Sequence, residues 1–221
     1  MTAPSPLRAA LSELAAATFE TLLAEVTADP AAIRRHFPAA ARRVGRGPLP
    51  GAVDASGAPA RIEDAVRGEL LAAHAAAVPP ERLAADVTDL YGVGDADEKR
   101  AVLAALDRLP LGSEALPLVA DALRTNDTRL VAAALGPYGT RHLDDDAWRQ
   151  GVLKCLFVGV PLAAVDGLPQ RADARLGTMV AAYANERLAA GRAVPDDALA
   201  LLADFPEEVA AAGLADRLAQ P

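Results

Sequence analysis

The chain has a single cysteine, Cys155, among 221 residues. No intrachain disulfide can form, and a zinc site built on clustered cysteines is excluded. Aromatic residues supply only 4% of the sequence. Sandwiches and barrels draw on Val, Ile, Thr and aromatics, so the composition argues against an all-β fold. Long hydrophobic runs are missing too. The longest, Cys155 to Val165, falls short of the roughly 18 apolar residues that a membrane-spanning helix needs. The N-terminus lacks a basic stretch, and Glu13 and Glu20 interrupt its first apolar segment, so no signal peptide is expected. The expected location is the cytoplasm. Positive charge is scarce: 22 bases face 30 acids, for a net charge of -8. Nucleic-acid binding needs clustered positive charge and is not expected.

Alanine and leucine supply most of a 52% hydrophobic content, and both are strong helix formers. The length is enough to bury a core without staples. One all-α domain over residues 1–221 is expected, either a HEAT-like helical repeat or an irregular α-helical bundle.

Caps and breakers place the helices. Ser5-Pro6 reads as a cap and first-turn proline for a helix through Leu7, Leu11, Leu14, Leu22 and Val26. Asp29-Pro30 opens a second helix towards Val44, which Pro38 is expected to kink or split. Residues 45–60, GRGPLPGAVDASGAPA, hold four glycines and three prolines. This segment is expected to be irregular, with Asp54 to Gly57 exposed, and no strand is expected anywhere. Further helices are expected over about 61–78 and from Pro80 to near Tyr91. Another should run over 96–109, with Asp95 and Glu98 as a capping box.

Ser113 then caps a helix, Asn126-Asp127 turns into another, and Gly136-Pro137 ends the pair. Short helix, tight turn and an arginine just inside the second helix resemble one HEAT-type repeat, which needs stacked neighbours to bury its apolar face. Asp144 to Asp146 start a helix with acids at its positive end. Its segment VLKCLFVG is nearly all apolar, so Leu153, Leu156, Phe157 and Val160 are expected deep in the core. A long helix over about 172–190 and two short ones, near 196–204 and 207–220, finish the chain.

Catalytic signatures are absent: no nucleotide-binding glycine loop, no zinc-protease motif and no nucleophile elbow. No catalytic residue, metal or cofactor is therefore expected. His36, His74 and His142 are scattered. A Cys155–His142 pair is weighed against a buried, inert thiol, and the thiol reading is preferred. Lys154 stands in an apolar segment and must pair, snorkel or shift its pKa. It either binds an anionic or carbonyl ligand or pairs with a neighbouring carboxylate. Arg34, Arg35, Arg42, Arg43 and Arg46 form the densest basic patch, an anion site or a solvated face. Arg171, Asn185, Glu186 and Arg187 read as a cluster, with Arg187 bonded to groups near 144–148 or 161–169.

Residues 125–194 resemble the EboA family. The resemblance rests on GPYG at Gly136 to Gly139 and on Trp148 followed after three residues by VLKCLF. GLPQRA at Gly167 to Ala172 and YANERLAAGR at Tyr183 to Arg192 complete it. Upstream, ARRVGRGPL at Ala41 to Leu49 is similar as well. Gly151 departs from the family's pattern, where a larger residue is expected, and signals close helix approach.

The resemblance implies an all-α, HEAT-like protein encoded in a small operon. Such operons also encode a prenyltransferase, a dehydroquinate-synthase-like enzyme and TIM-barrel-like proteins, and they are linked to traffic or processing of secondary metabolites. They include the operon for the precursor of a cyanobacterial sunscreen pigment. No catalytic residues come with it. The expected function is a non-catalytic binding or scaffold protein working with operon-encoded enzymes or a small metabolite. The alternative is an enzyme acting on a small anionic or prenylated metabolite, with Lys154 and His142 in an interhelical pocket. Candidate binding residues are Lys154, His142, Tyr138, Arg171, Arg187, Arg42 and Arg43.

Overall fold

A computed structural model describes residues 6–54 and 57–218. α1 (Pro6–Ala10) and α2 (Glu13–Ala28) are two helices where the spacing predicts one. Ser12 interrupts the run, because its hydroxyl caps α2 by accepting from the Ala15 N–H at 3.3 Å. Ser5, the expected cap, lies outside the described residues. Asp29 caps a 3-10 turn, Pro30–Ala32, that leads into α3 (Ile33–Arg43). Pro38 sits inside α3 without splitting it. Burial of Ile33, His36, Phe37, Ala40 and Ala41 on one face holds the helix across the missing hydrogen bond.

The segment expected to be irregular forms an antiparallel hairpin, β1 (Pro48–Val53) with β2 (Pro59–Arg61), so the expectation of no strand is corrected. Each strand of a two-stranded ribbon has a free edge, where proline costs no ladder bond. Gly51 and Gly57 take φ of 73° and 79°, a region open mainly to glycine. Asp54 and Gly57 are exposed, as expected; residues 55 and 56 lie outside the described residues.

α4 (Ile62–Ala77), α5 (Pro80–Val93) and α6 (Ala96–Ala105) follow, and Asp95 and Glu98 form the expected capping box. A 3-10 turn, Leu106–Arg108, ends α6. α7 (Leu116–Arg124) starts later than expected. Ser113 does not cap it; only its carbonyl is used, accepting from the Leu116 N–H. Asp127 caps α8 (Thr128–Ala134), and Gly136-Pro137 opens α9 (Pro137–His142) rather than only ending a helix. α10 (Asp145–Val158) is capped by Asp144 and stopped by Gly159 in the left-handed region. α11 (Leu168–Arg171) and α12 (Ala174–Ala189) follow. The expected closing helix breaks at Gly213, so α13 (Asp196–Ala203), α14 (Pro206–Ala211) and α15 (Ala215–Leu218) end the described chain.

The even-numbered helices stack in series. α4 packs on α6, α6 on α8, α8 on α10 and α10 on α12, with one continuous buried core between them. Serial stacking is what a helical repeat requires, yet helix lengths run from 4 to 16 residues without a constant period. The architecture is an irregular α-helical bundle. Among the described residues no helix is long and apolar enough to cross a membrane.

α10 is less central than its sequence predicts. Trp148, Gly151, Val152, Cys155 and Leu156 face the core, and Val160 beyond the helix is also buried. Leu153 is half-buried and Phe157 is 59% exposed. Positions 153 and 157 share the outward stripe of a helix buried on one side only.

Gly151 does mark close approach: a Cβ there would lie 2.8 Å from Leu135 Cδ2. Gly139 is tighter, since its Cβ would meet the Ala134 carbonyl oxygen at 2.0 Å. Backbone cannot move aside as a leucine methyl can. Gly139→Ala should therefore cost about 1–3 kcal/mol in urea unfolding, against a helix-propensity gain of about 1 kcal/mol. Gly151→Ala should lose less. A Gly139→Ala protein as stable as wild type would show that α8 and α9 are not in contact there.

Candidate functional site

Five charges alternate across three stacked helices. Arg100 of α6 grips Asp64 of α4 with two hydrogen bonds, Nε to Oδ2 at 2.7 Å and Nη2 to Oδ1 at 3.1 Å. Its Nη1 donates to Asp97 at 2.9 Å, and the same Asp97 oxygen accepts from Arg129 Nη1 of α8 at 2.9 Å. Arg129 closes the row on Asp127, the α8 cap, at 2.7 Å. Burial pushes the Asp64 carboxyl up, even with the Arg100 guanidinium against it. Asp127 sits low because Arg129 hydrogen-bonds it and the first-turn N–H groups of α8 add to that.

Beside this row lies a cleft of about 350 Å³. Its floor is made of small residues: Ala65 and Gly68 from α4, Ala101 and Ala104 from α6, Ala132 and Ala133 from α8. Tyr138 also lines the cleft. The hairpin forms another wall through Asp54, Ala60 and Arg61. Glu63, buried on α4, tethers that wall by accepting from the Gly47 N–H at 3.0 Å and from Arg61 Nε at 3.0 Å. Arg108 reaches in from the turn after α6, and its Nη1 would lie 3.5 Å from a Cβ placed on Gly68.

Of the candidate binding residues read from sequence, only Tyr138 lines this cleft. Its ring is buried and its hydroxyl is used twice, donating to Gly112 O at 2.7 Å and accepting from the Ala115 N–H at 3.1 Å. His142 stacks on that ring, centroids 4.5 Å apart, and does not line the cleft. Lys154 lines a separate, open groove between α7 and α10, beside Leu123, Gly151 and Phe157. Its ammonium donates to the Asn126 side-chain oxygen at 2.7 Å, an amide where a carboxylate was expected. The structure does not bring Lys154 and His142 into one pocket.

Arg171 is a clasp. It donates to the carbonyls of Thr140 and Leu143, each at 2.6 Å, and to Asp145 at 2.9 Å, with its guanidinium over Trp148. Arg187 is half-buried as expected, but its partner is Ala193 O at 2.6 Å, just past the end of its own helix. The expected partners near 144–148 and 161–169 do not supply that bond. Asn185 bonds instead to Ala212 O and Arg217, so residues 171, 185 and 187 form no cluster. Arg42 and Arg43 are exposed. Arg43 lies 3.2 Å from His36 Nδ1, while Arg34 pairs with Asp86 and Asp89, and Arg35 with Glu25. Acids thus match two of the five arginines of the basic patch, Arg34 and Arg35.

Sequence reading missed Arg61, Asp64, Arg100, Arg108 and Arg129. The available signal was the pair Asp97 and Arg100, then Asp127 and Arg129, each near the start of its helix, α6 and α8. That they face one another is a tertiary fact.

The matched segment covers this whole site except Asp54. Residues 58–203, more than half the chain, match the model of the family described as metabolite traffic protein EboA. No curated protein and no solved structure matches the chain.

Cys155 is buried in the core, and burial pushes its thiol up to about 12. A thiol held there has almost no thiolate at neutral pH and does not act as a nucleophile. Ellman's reagent at pH 8 should leave the folded protein unlabelled and titrate one thiol per chain in denaturant. Rapid labelling of the folded protein would contradict this placement.

Proposed function

The chain belongs to the EboA family, and from that premise we propose that it is a non-catalytic binding protein of secondary-metabolite traffic. The cleft across α4, α6 and α8 is its cargo site. In this reading it works in the cytoplasm and passes a small molecule to or from enzymes encoded in the same operon.

The observation that carries the reading is the cleft itself, with its small-residue floor and arginine rim. A concave apolar surface with a few fixed polar groups is the usual form of a small-molecule site. Its volume of about 350 Å³ is at the small end of that range. The polar groups suit holding better than reacting. Guanidinium does not release its proton in proteins, so Arg61, Arg100, Arg108 and Arg129 supply charge and hydrogen bonds without proton transfer. Asp64 is occupied by the two-pronged bond to Arg100. The Tyr138 hydroxyl is occupied by backbone.

Native mass spectrometry of protein purified gently from its own host tests this. The wild type should retain one small molecule per chain. Ala104→Leu, at an exposed position on the cleft wall, should come through empty with its fold intact. Cargo released and offered back should be recovered at the same mass. A wild type that is always empty, or cargo whose mass changes on incubation, would contradict the reading.

A further inference from the structure

The charge pattern inside the cleft says what kind of molecule fits it. The three acids of its lining already have partners. Asp64 is held by Arg100. Asp107 pairs with Arg141 by charge, Oδ1 to Nη1 at 2.7 Å, without a hydrogen bond. Asp54 accepts from the Ala58 N–H at 3.1 Å.

Two of the guanidiniums are in the opposite condition. A guanidinium carries five N–H donors. Arg108 uses Nη2 on Glu69 at 2.6 Å, and its Nη1, lying over Gly68, has no protein acceptor among the described residues. Arg61 uses Nε and Nη2 on Glu63 and keeps Nη1. Both side chains are about half-exposed, at 51% for Arg108 and 44% for Arg61, so they are not locked in place. Spare, fork-shaped donors beside committed acids call for an oxygen-rich anion on the ligand. The same cleft is lined by Ala65, Gly68, Ala101, Ala104, Ala132 and Ala133, which offer apolar contact and no side-chain donors of their own.

We propose that the cleft binds a small organic anion, a flat apolar body bearing a carboxylate, sulfonate or phosphate, with the anionic group on Arg108 and Arg61 and the body on the alanine floor. The assignment rests on the cargo-site reading above and narrows it to a chemical class. Arg108 is the binding residue expected to matter most, because its free Nη1 lies directly over the floor.

A matched pair of fluorescent probes tests it: 8-anilinonaphthalene-1-sulfonate and its uncharged counterpart N-phenyl-1-naphthylamine, which has the same rings without the sulfonate. The sulfonate should bind the folded protein at one site per chain, at least tenfold more tightly than the neutral probe. Arg108→Ala should weaken sulfonate binding tenfold or more and leave the neutral probe unchanged. Arg108→Lys should recover part of the loss. Ala104→Leu should abolish both probes, and Ala65→Leu serves the same purpose if the first variant folds poorly. Thermal unfolding near the wild-type temperature confirms that each variant is folded.

If Ala104→Leu removes both probes but the neutral one binds as tightly as the sulfonate, the anion assignment falls and the cargo site stands. The anion assignment also falls, with the cargo site intact, if Arg108→Ala leaves sulfonate binding unchanged while Ala104→Leu removes it. If neither probe binds, or neither responds to the cleft-filling variants, both the assignment and the cargo site fall.

Discussion

The row Asp64–Arg100–Asp97–Arg129–Asp127 is the interaction on which the cleft depends. It crosses α4, α6 and α8 beside a floor too small to interlock by side-chain bulk. Alanine and glycine let helices approach, but they offer few knobs to fix one helix against the next. On this face charge adds register to what the buried valines and leucines of the core supply elsewhere. Each arginine bridges two acids, so neither helix can slide or turn without leaving a guanidinium unmatched. The innermost pair shows the cost: burial pushes Asp64 up despite its partner. Desolvation of a buried ion pair can exceed its attraction, so the pair works as a locating device more than as a source of net stability.

The same small residues that need this device also create the cavity. Had positions 65, 101, 104, 132 and 133 been leucines, the space beside the row would be filled. The hairpin completes the enclosure because Glu63 holds the Gly47 N–H and Arg61 together. Packing, charge register and the cleft are thus consequences of one composition, rich in alanine and poor in aromatics.

Much of the fold was legible in the sequence. Asp29-Pro30, the Asp95–Glu98 capping box, Asp127 and Asp144 sit at helix ends because capping is local chemistry, readable from a few residues. Ser12 and Gly213 are harder to read as breaks for a related reason, since each interrupts an otherwise continuous apolar pattern. The hairpin escapes a one-dimensional reading because its glycines and prolines look irregular there, while only pairing across the turn makes them a ribbon. The site was the least legible part. Lys154 and Arg187 stand out as charges in apolar stretches, yet each is spent on a single acceptor, Lys154 on the distant Asn126 amide and Arg187 on the nearby Ala193 carbonyl. Arg100 and Arg129 look like ordinary surface charges, because nothing local shows that α6 and α8 stack and bring them to one acid.

Whether Asp64 and Arg100 hold the cleft's walls in register is measured most directly by a double-mutant cycle of Asp64→Ala and Arg100→Ala, followed by urea unfolding. Each single change should be costly, because it strands a partly buried charge. The double variant should lose less than the sum, with a coupling of about 1.5–3 kcal/mol. Additive losses, with coupling near zero, would show that the two side chains do not depend on each other and that something else positions α4 against α6.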